Sequence, residues 1–275
     1  MGLPAPSTAG AALVTGASSG IGAAIARELA DRGHALVLVA RREQRLRSLA
    51  DELAAEYGVD AEVIAADLAD EGARERLHTE VAERGRWIEI LVNNAGFGSR
   101  GRFVDNDTAR MVEMVEVNAA AVVDLTGRFL PGMVNRGRGA VINVASAASF
   151  QPLPGAAVYA ATKAFVLSFS ESVRTEQRGS GVSVTAVCPG PVETEFTEAA
   201  GMEGVERETP GVIWTSAEDV ARLAVAGAAA DKRVVVPGAL YRATSLLGQH
   251  SPRALALPLI ERVWGSATAR GGDKD

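Results

Sequence analysis

Apolar residues along this chain fall into two kinds of run. Short, nearly continuous stretches occur at AALVTG, ALVLVA, AEVIAAD, IEILVNNAG, AVINVAS and VSVTAVCPG, with VVVPG closing the series. Between the first of these lie alanine-rich stretches whose apolar residues return every three or four positions. They are IGAAIARELADRG, then EQRLRSLADELAAEYG with Leu46, Leu49 and Leu53 on one face, then GARERLHTEVAERG. The continuous runs suit strands covered on both faces, and the others suit amphipathic helices. Gly33 stands where a residue just beyond a helix C-terminus is wanted. Strand-helix alternation with right-handed crossovers predicts an α/β protein, a single doubly wound parallel sheet with helices on both faces.

No repeat, linker or charge block divides the chain. The expected organisation is a flexible N-terminus over 1–9, one α/β domain over 10–240, and a C-terminal extension over 241–275. The polar, glycine-containing stretch 193–216 reads as a loop with short helices, placed to close over a ligand. The extension mixes leucines with Arg242, Arg253 and Arg262. It fits a wall over the substrate site, an oligomer contact or a membrane-surface element; Pro252 and Pro258 break any long helix and weaken the last. The final ARGGDKD is expected to fray.

Composition narrows the chemistry. The 275 residues are 47% hydrophobic and carry a net charge of −6 without a basic block, which argues against nucleic acid. One cysteine excludes an intramolecular disulfide framework, and three scattered histidines give no metal-ligand spacing. No metal is expected. The start lacks a signal-peptide pattern, and the uncharged stretch 139–162 is interrupted by Asn143, Gln151, Pro152 and Pro154, so no membrane span is expected. A soluble, cytoplasmic protein follows as the expectation.

TGASSGIG, residues 15–22, sits between the first strand and the first helix. Gly16, Gly20 and Gly22 allow a tight turn and close approach of backbone to phosphate, and the helix beginning near Ile21 aims its N–H groups there. A plain tight turn would use the same glycines; its place after the first of several parallel strands favours a pyrophosphate site. At the end of the second strand, VARRE puts Ala40 where an NAD-preferring fold carries a carboxylate, followed by Arg41 and Arg42. A guanidinium binds phosphate well, so NADP is expected over NAD. As a mere helix start, the two arginines would oppose the helix dipole.

YAATK places Tyr159 and Lys163 one helical turn apart. With TGASSGIG, Asp67-Leu68, NNAG (93–96), Asn118, Ser146 and PGPVET (189–194), it makes the chain resemble the short-chain dehydrogenase/reductase family over about residues 10–238. The resemblance implies a Rossmann fold and interconversion of a ketone or aldehyde with an alcohol by hydride transfer. It casts Tyr159 as the general acid-base and Lys163 as the ammonium that stabilises its phenolate and holds the ribose. Ser146 would orient the substrate oxygen, and Asn118 would hold a relay water. An ammonium a few ångströms away lowers a phenol pKa, so Tyr159 is expected below its usual value. Cofactor contacts would come from Gly16, Ser18, Ser19, Gly20, Ile21, Gly22, Arg41, Arg42, Asp67, Leu68, Asn94, Ala95, Gly96, Tyr159, Lys163, Pro189, Gly190, Val192 and Thr194. Phe97, Ser149, Phe150, Gln151 and Leu153 would line a partly apolar substrate pocket. Cys188 reads as packing. The family resemblance also implies a homodimer or homotetramer. The competing readings are an NAD-dependent alcohol dehydrogenase of the same fold and a non-catalytic NADP-binding sensor.

Overall fold

The computed structural model describes residues 2–192, 215–238, 241–242 and 257–258. Within them the apolar runs become β1 (Gly10–Thr15), β2 (Ala35–Ala40), β3 (Ala61–Ala65), β4 (Trp87–Asn93), β5 (Gly139–Val144), β6 (Val182–Val187) and β7 (Val234–Val235). All pair in parallel, in the order β3-β2-β1-β4-β5-β6-β7. The order reverses at β1 and β4, which opens a crevice beyond their carboxyl ends. The predicted strand series is all present.

Alternate residues of each strand feed two cores. Ala12, Val14, Leu36 and Leu38 meet α1 (Gly20–Asp31), α2 (Glu43–Tyr57) and α7 (Ala217–Ala229) on one face. Ala11, Leu13, Val37 and Val39 meet α3 (Glu71–Glu83), α5 (Ala121–Asn135) and α6 (Ala157–Glu176) on the other. Strand β4 departs from strict alternation. The register with β1 jumps from Ala11↔Ile88 to Ala12↔Ile90, so Glu89 is an extra residue in a bulge and Ile88 and Ile90 face opposite cores.

The sequence pattern did not delimit the connection from β4 to β5. It holds α4 (Thr108–Val115), a π-helical segment over Glu116–Ala120, and then α5 without a break. Residues 2–9, expected to be flexible, lie against the amino ends of the strands. Ser7 Oγ donates to Glu89, Arg86 donates to Thr8 O, Arg138 donates to Ala5 O, and Leu3 packs on the core. The 193–216 loop (apart from Thr215 and Ser216), Thr194 and most of the 241–275 extension lie outside the described residues. Among the described residues no helix is long and apolar enough to cross a membrane, and no His, Cys, Asp and Glu cluster could hold a metal.

Candidate active site

The β1–α1 turn forms the floor of the crevice. Gly16 has φ 66°, a left-handed conformation that side chains resist, and a Cβ on Gly22 would run into Gly16 O. The α1 N-terminus has Ser19 as its cap residue with no side-chain cap bond, so its first N–H groups are not satisfied by a capping side chain. Thr15, which the sequence reading passed over, ties the turn to β4. Its Oγ1 accepts from the Asn94 and Ala95 N–H groups and donates to Val92 O, while Asn94 Nδ2 donates to Thr15 O. An uncapped helix start behind a glycine cradle fits a pyrophosphate.

The two arginines separate. Arg42 donates to Ser18 Oγ at 3.0 Å and Ser19 Oγ at 2.7 Å, so its guanidinium lies across the glycine turn. Arg41 is exposed and leans to Glu113 of α4 at 3.5 Å. The Asp67 carboxylate accepts from Ala69 N–H in its own turn, and Leu68 is buried, its carbonyl accepting from Arg74.

The reactive group gathers on the β5, β6 and α6 side. Tyr159 lies in the first turn of α6 and Lys163 in the second. Lys163 is only 5% exposed and donates through Nζ to Val144 O at 2.8 Å; burial pulls its pKa from 10.5 down to about 8. The Tyr159 phenol is pushed above its usual 10, chiefly by burial, against the opposing hydrogen bond from Ser146. The expected lowering by Lys163 is therefore corrected. The ammonium turns to a backbone carbonyl and sits 5.9 Å from the phenol ring centre, and desolvation outweighs the rest.

Ser146 follows β5. Its Oγ accepts from Ala148 N–H at 3.1 Å and meets the Tyr159 phenol. Ser149 faces inward: its hydroxyl donates to Lys163 O at 2.8 Å and accepts from Ser146 N–H. Asn118 is buried within the π-helical segment. It accepts from Phe97 N–H, donates to Phe97 O at 2.9 Å, and donates to Thr162 Oγ1 at 3.2 Å. Thr162, inside YAATK but not singled out, in turn donates to Tyr159 O. A Cβ on Gly96 would stand 2.8 Å from Asn118 Oδ1 and 3.4 Å from Lys163 Nζ, so the NNAG backbone runs directly over both.

Of the expected substrate contacts, Leu153 packs with Tyr159 beside Ala148 and Ala160, and Phe97 lies under the Arg110 guanidinium at 4.5 Å. Phe150 packs elsewhere, lining a recess of about 320 Å³ with Val234, Val236 and Arg242 at the sheet edge. Gln151 is half-buried in extended backbone. Cys188 is fully buried and its thiol is pushed up to about 12, so it does not ionise at neutral pH. Pro189 O accepts from Ala147 N–H at 2.8 Å, which fixes the PGPV turn beside Ser146, and Val192 bridges to Thr215.

A glycine cradle and a guanidinium at the switch point, with Ser146, Tyr159 and Lys163 beside it, define a dinucleotide-dependent oxidoreductase. The family model for short chain dehydrogenases matches residues 10–203. The chain belongs to this family, whose reactions join CH–OH and C=O groups. Sulfoacetaldehyde reductase 2 of Chromohalobacter salexigens is 40% identical over 77% of this chain and 85% of its own. The NADP-dependent 3-hydroxy acid dehydrogenase YdfG of Salmonella typhi is 38% identical over 67% of this chain and 74% of its own. A short-chain dehydrogenase from Sphingobium yanoikuyae, solved with NADPH, superposes with a TM-score of 0.78 at 36% identity, over 86% of this chain and 92% of that one.

Proposed function

We propose that this chain interconverts a ketone or aldehyde and an alcohol with NADP, and that Tyr159 is its general acid-base. The observation that carries the reading is the meeting of the Ser146 hydroxyl and Tyr159 phenol beside a buried Lys163, under the Gly96 backbone. Arg42, Ser18 and Ser19 would hold the 2′-phosphate, and the α1 N-terminus and Gly16 the pyrophosphate. Bound in this crevice, a nicotinamide supplies or accepts the hydride. Arg42 on the turn serines, with Ala40 in place of a carboxylate, supports NADP over NAD.

The chain's own groups handle the proton. A phenol held above its usual 10 keeps its proton at neutral pH, so Tyr159 is the proton donor to the carbonyl oxygen when the reaction runs as a reduction. Ser146 orients that oxygen through the same hydroxyl that meets Tyr159. Lys163, still an ammonium at pH 7 with a pKa of about 8, would hold the nicotinamide ribose, since its charge does not outweigh burial at the phenol. Asn118 and Thr162 fix the backbone on either side of the pair.

The relatives' names, sulfoacetaldehyde reductase and 3-hydroxy acid dehydrogenase, support a carbonyl compound bearing an acidic group. Arg102 pairs with Asp105 and Arg110 with Glu113, whereas Arg100 has no ion-pair partner among the described residues. It precedes Gly101, whose N–H crosses to Gly155 O at 2.9 Å near the start of the Tyr159 helix, and it is our candidate reader of that acid. A homodimer or homotetramer completes the proposal; Val112, Val115, Val123 and Phe165 provide exposed apolar surface for it.

The test is NADPH oxidation across neutral and acidic aldehydes and ketones. Tyr159→Phe is expected to lower kcat by about 10²–10⁴ while leaving NADPH binding intact. Wild-type turnover by that variant would remove Tyr159 from its role.

A further inference from the structure

We propose that Tyr241, just beyond β7, is a positioning residue for the cofactor crevice. Its ring is the back support of the turn at residues 189–192. The proposal rests on the reading of Pro189, Gly190 and Val192 in that turn as cofactor contacts.

The turn is fixed by backbone at three points. Cys188 N–H donates to Val235 O at 2.8 Å, Ala147 N–H to Pro189 O at 2.8 Å, and Thr215 N–H to Pro191 O at 3.2 Å. None of these holds Gly190 itself. The Tyr241 ring does: a Cβ on Gly190 would overlap Cδ2 and Cε2 and stand 2.8 Å from Cζ. Gly190 is not among the glycines with positive φ, so its backbone would accept alanine without strain. The ring's close approach leaves no room for a side chain there. Gly238, at φ +87°, turns the chain after β7, and its own Cβ position lies 3.5 Å from the same ring. The phenol is half-buried, and burial raises its pKa.

The consequence runs from ring to chemistry. Gly190 adjoins Pro189, whose carbonyl fixes Ala147, the neighbour of Ser146. A ring pressed on Gly190 therefore sets both the turn that would contact the cofactor and the position of the Ser146 hydroxyl. It also gives the first residue of the C-terminal extension a place in the site wall, whatever the remainder of the extension does.

The experiment measures NADPH affinity directly by nicotinamide fluorescence, alongside the thermal midpoint of each variant. Tyr241→Phe is expected to bind like wild type, and Tyr241→Ala about tenfold more weakly, since small misplacements near reacting groups are costly. Gly190→Ala alone is expected to lose at least as much. The double variant Gly190→Ala/Tyr241→Ala is expected to bind better than Gly190→Ala, because the added methyl enters the space the ring vacates. A Gly190→Ala that binds like wild type, a double variant no better than it, or a Tyr241→Ala with unchanged affinity overturns the proposal. A wild type that binds NADPH yet reduces no carbonyl sinks the functional reading and leaves this test readable. A wild type that binds no NADPH ends both.

Discussion

Lys163 is a buried cation held at the expense of stability. Its folded pKa of about 8 lies below the ordinary 10.5, so the unfolded chain binds the proton more tightly. The penalty is present in full below pH 8 and is relieved as pH rises from about 8 to 10.5. The shift corresponds to roughly 3 kcal/mol. Lys163→Met leaves Val144 O without its donor, so we expect a smaller gain of ~1–2 kcal/mol at pH 7. Urea unfolding at pH 7 and pH 10 should show that gain shrinking at the higher pH, with activity lost at both.

Arg42 carries a second expectation at this scale. Under the proposed function Arg42 would hold the 2′-phosphate through charge-assisted hydrogen bonds of about 1.5–3 kcal/mol, so Arg42→Ala should raise the KM for NADPH by roughly 10- to 100-fold. Its KM for NADH should change little. The sequence offered Arg41 and Arg42 as equals. Only the fold laid one on Ser18 and Ser19 and turned the other to Glu113.

Among the elements, the strands were the most legible, because runs such as ALVLVA are buried on both faces and leave little room for another reading. The least legible was the stretch through Asn118. A π-helical segment breaks the 3.6-residue period there and turns Asn118 inward, so periodicity could not locate it and only family resemblance did. Two helical glycines separate intrinsic propensity from tertiary demand. In α5, Gly127 has nothing within 4 Å of a Cβ position, so Gly127→Ala should stabilise by about 0.5–1 kcal/mol. In α1, Gly22→Ala carries the same favourable propensity but collides with Gly16 O. It should lower the melting temperature and weaken NADPH binding in a fluorescence titration. Thermal melts of the pair should therefore move in opposite directions.

Across the whole molecule, the amino ends of the strands hold a polar cluster far from the crevice. Glu89 is fully buried in its bulge, 3.4 Å from His34 Nδ1, and accepts from Arg138 at 2.9 Å and Ser7 at 3.1 Å. Arg138→Ala leaves the buried carboxylate without its cation and releases the anchor on Ala5. Breaking such a pair costs about 3–5 kcal/mol when both members are buried, and we expect ~2–3 here because Arg138 is 39% exposed. Urea unfolding measures the loss, limited proteolysis should cut within the first residues, and the KM for NADPH should stay as in wild type.

The sequence by itself determined the strand-helix alternation, the glycine turn and the one-turn spacing of Tyr159 and Lys163, because these follow from local periodicity and from spacings within one element or turn; Ser146 joined them through the family resemblance. Tertiary structure decided what depended on segments distant along the chain. It set the bulge at Glu89, which exists only as a register between β1 and β4. It set the raised phenol of Tyr159, because desolvation is a property of everything packed around a group and not of the ammonium one turn away. It also gave the motif glycine Gly190 its physical reason, a ring that arrives from fifty residues later.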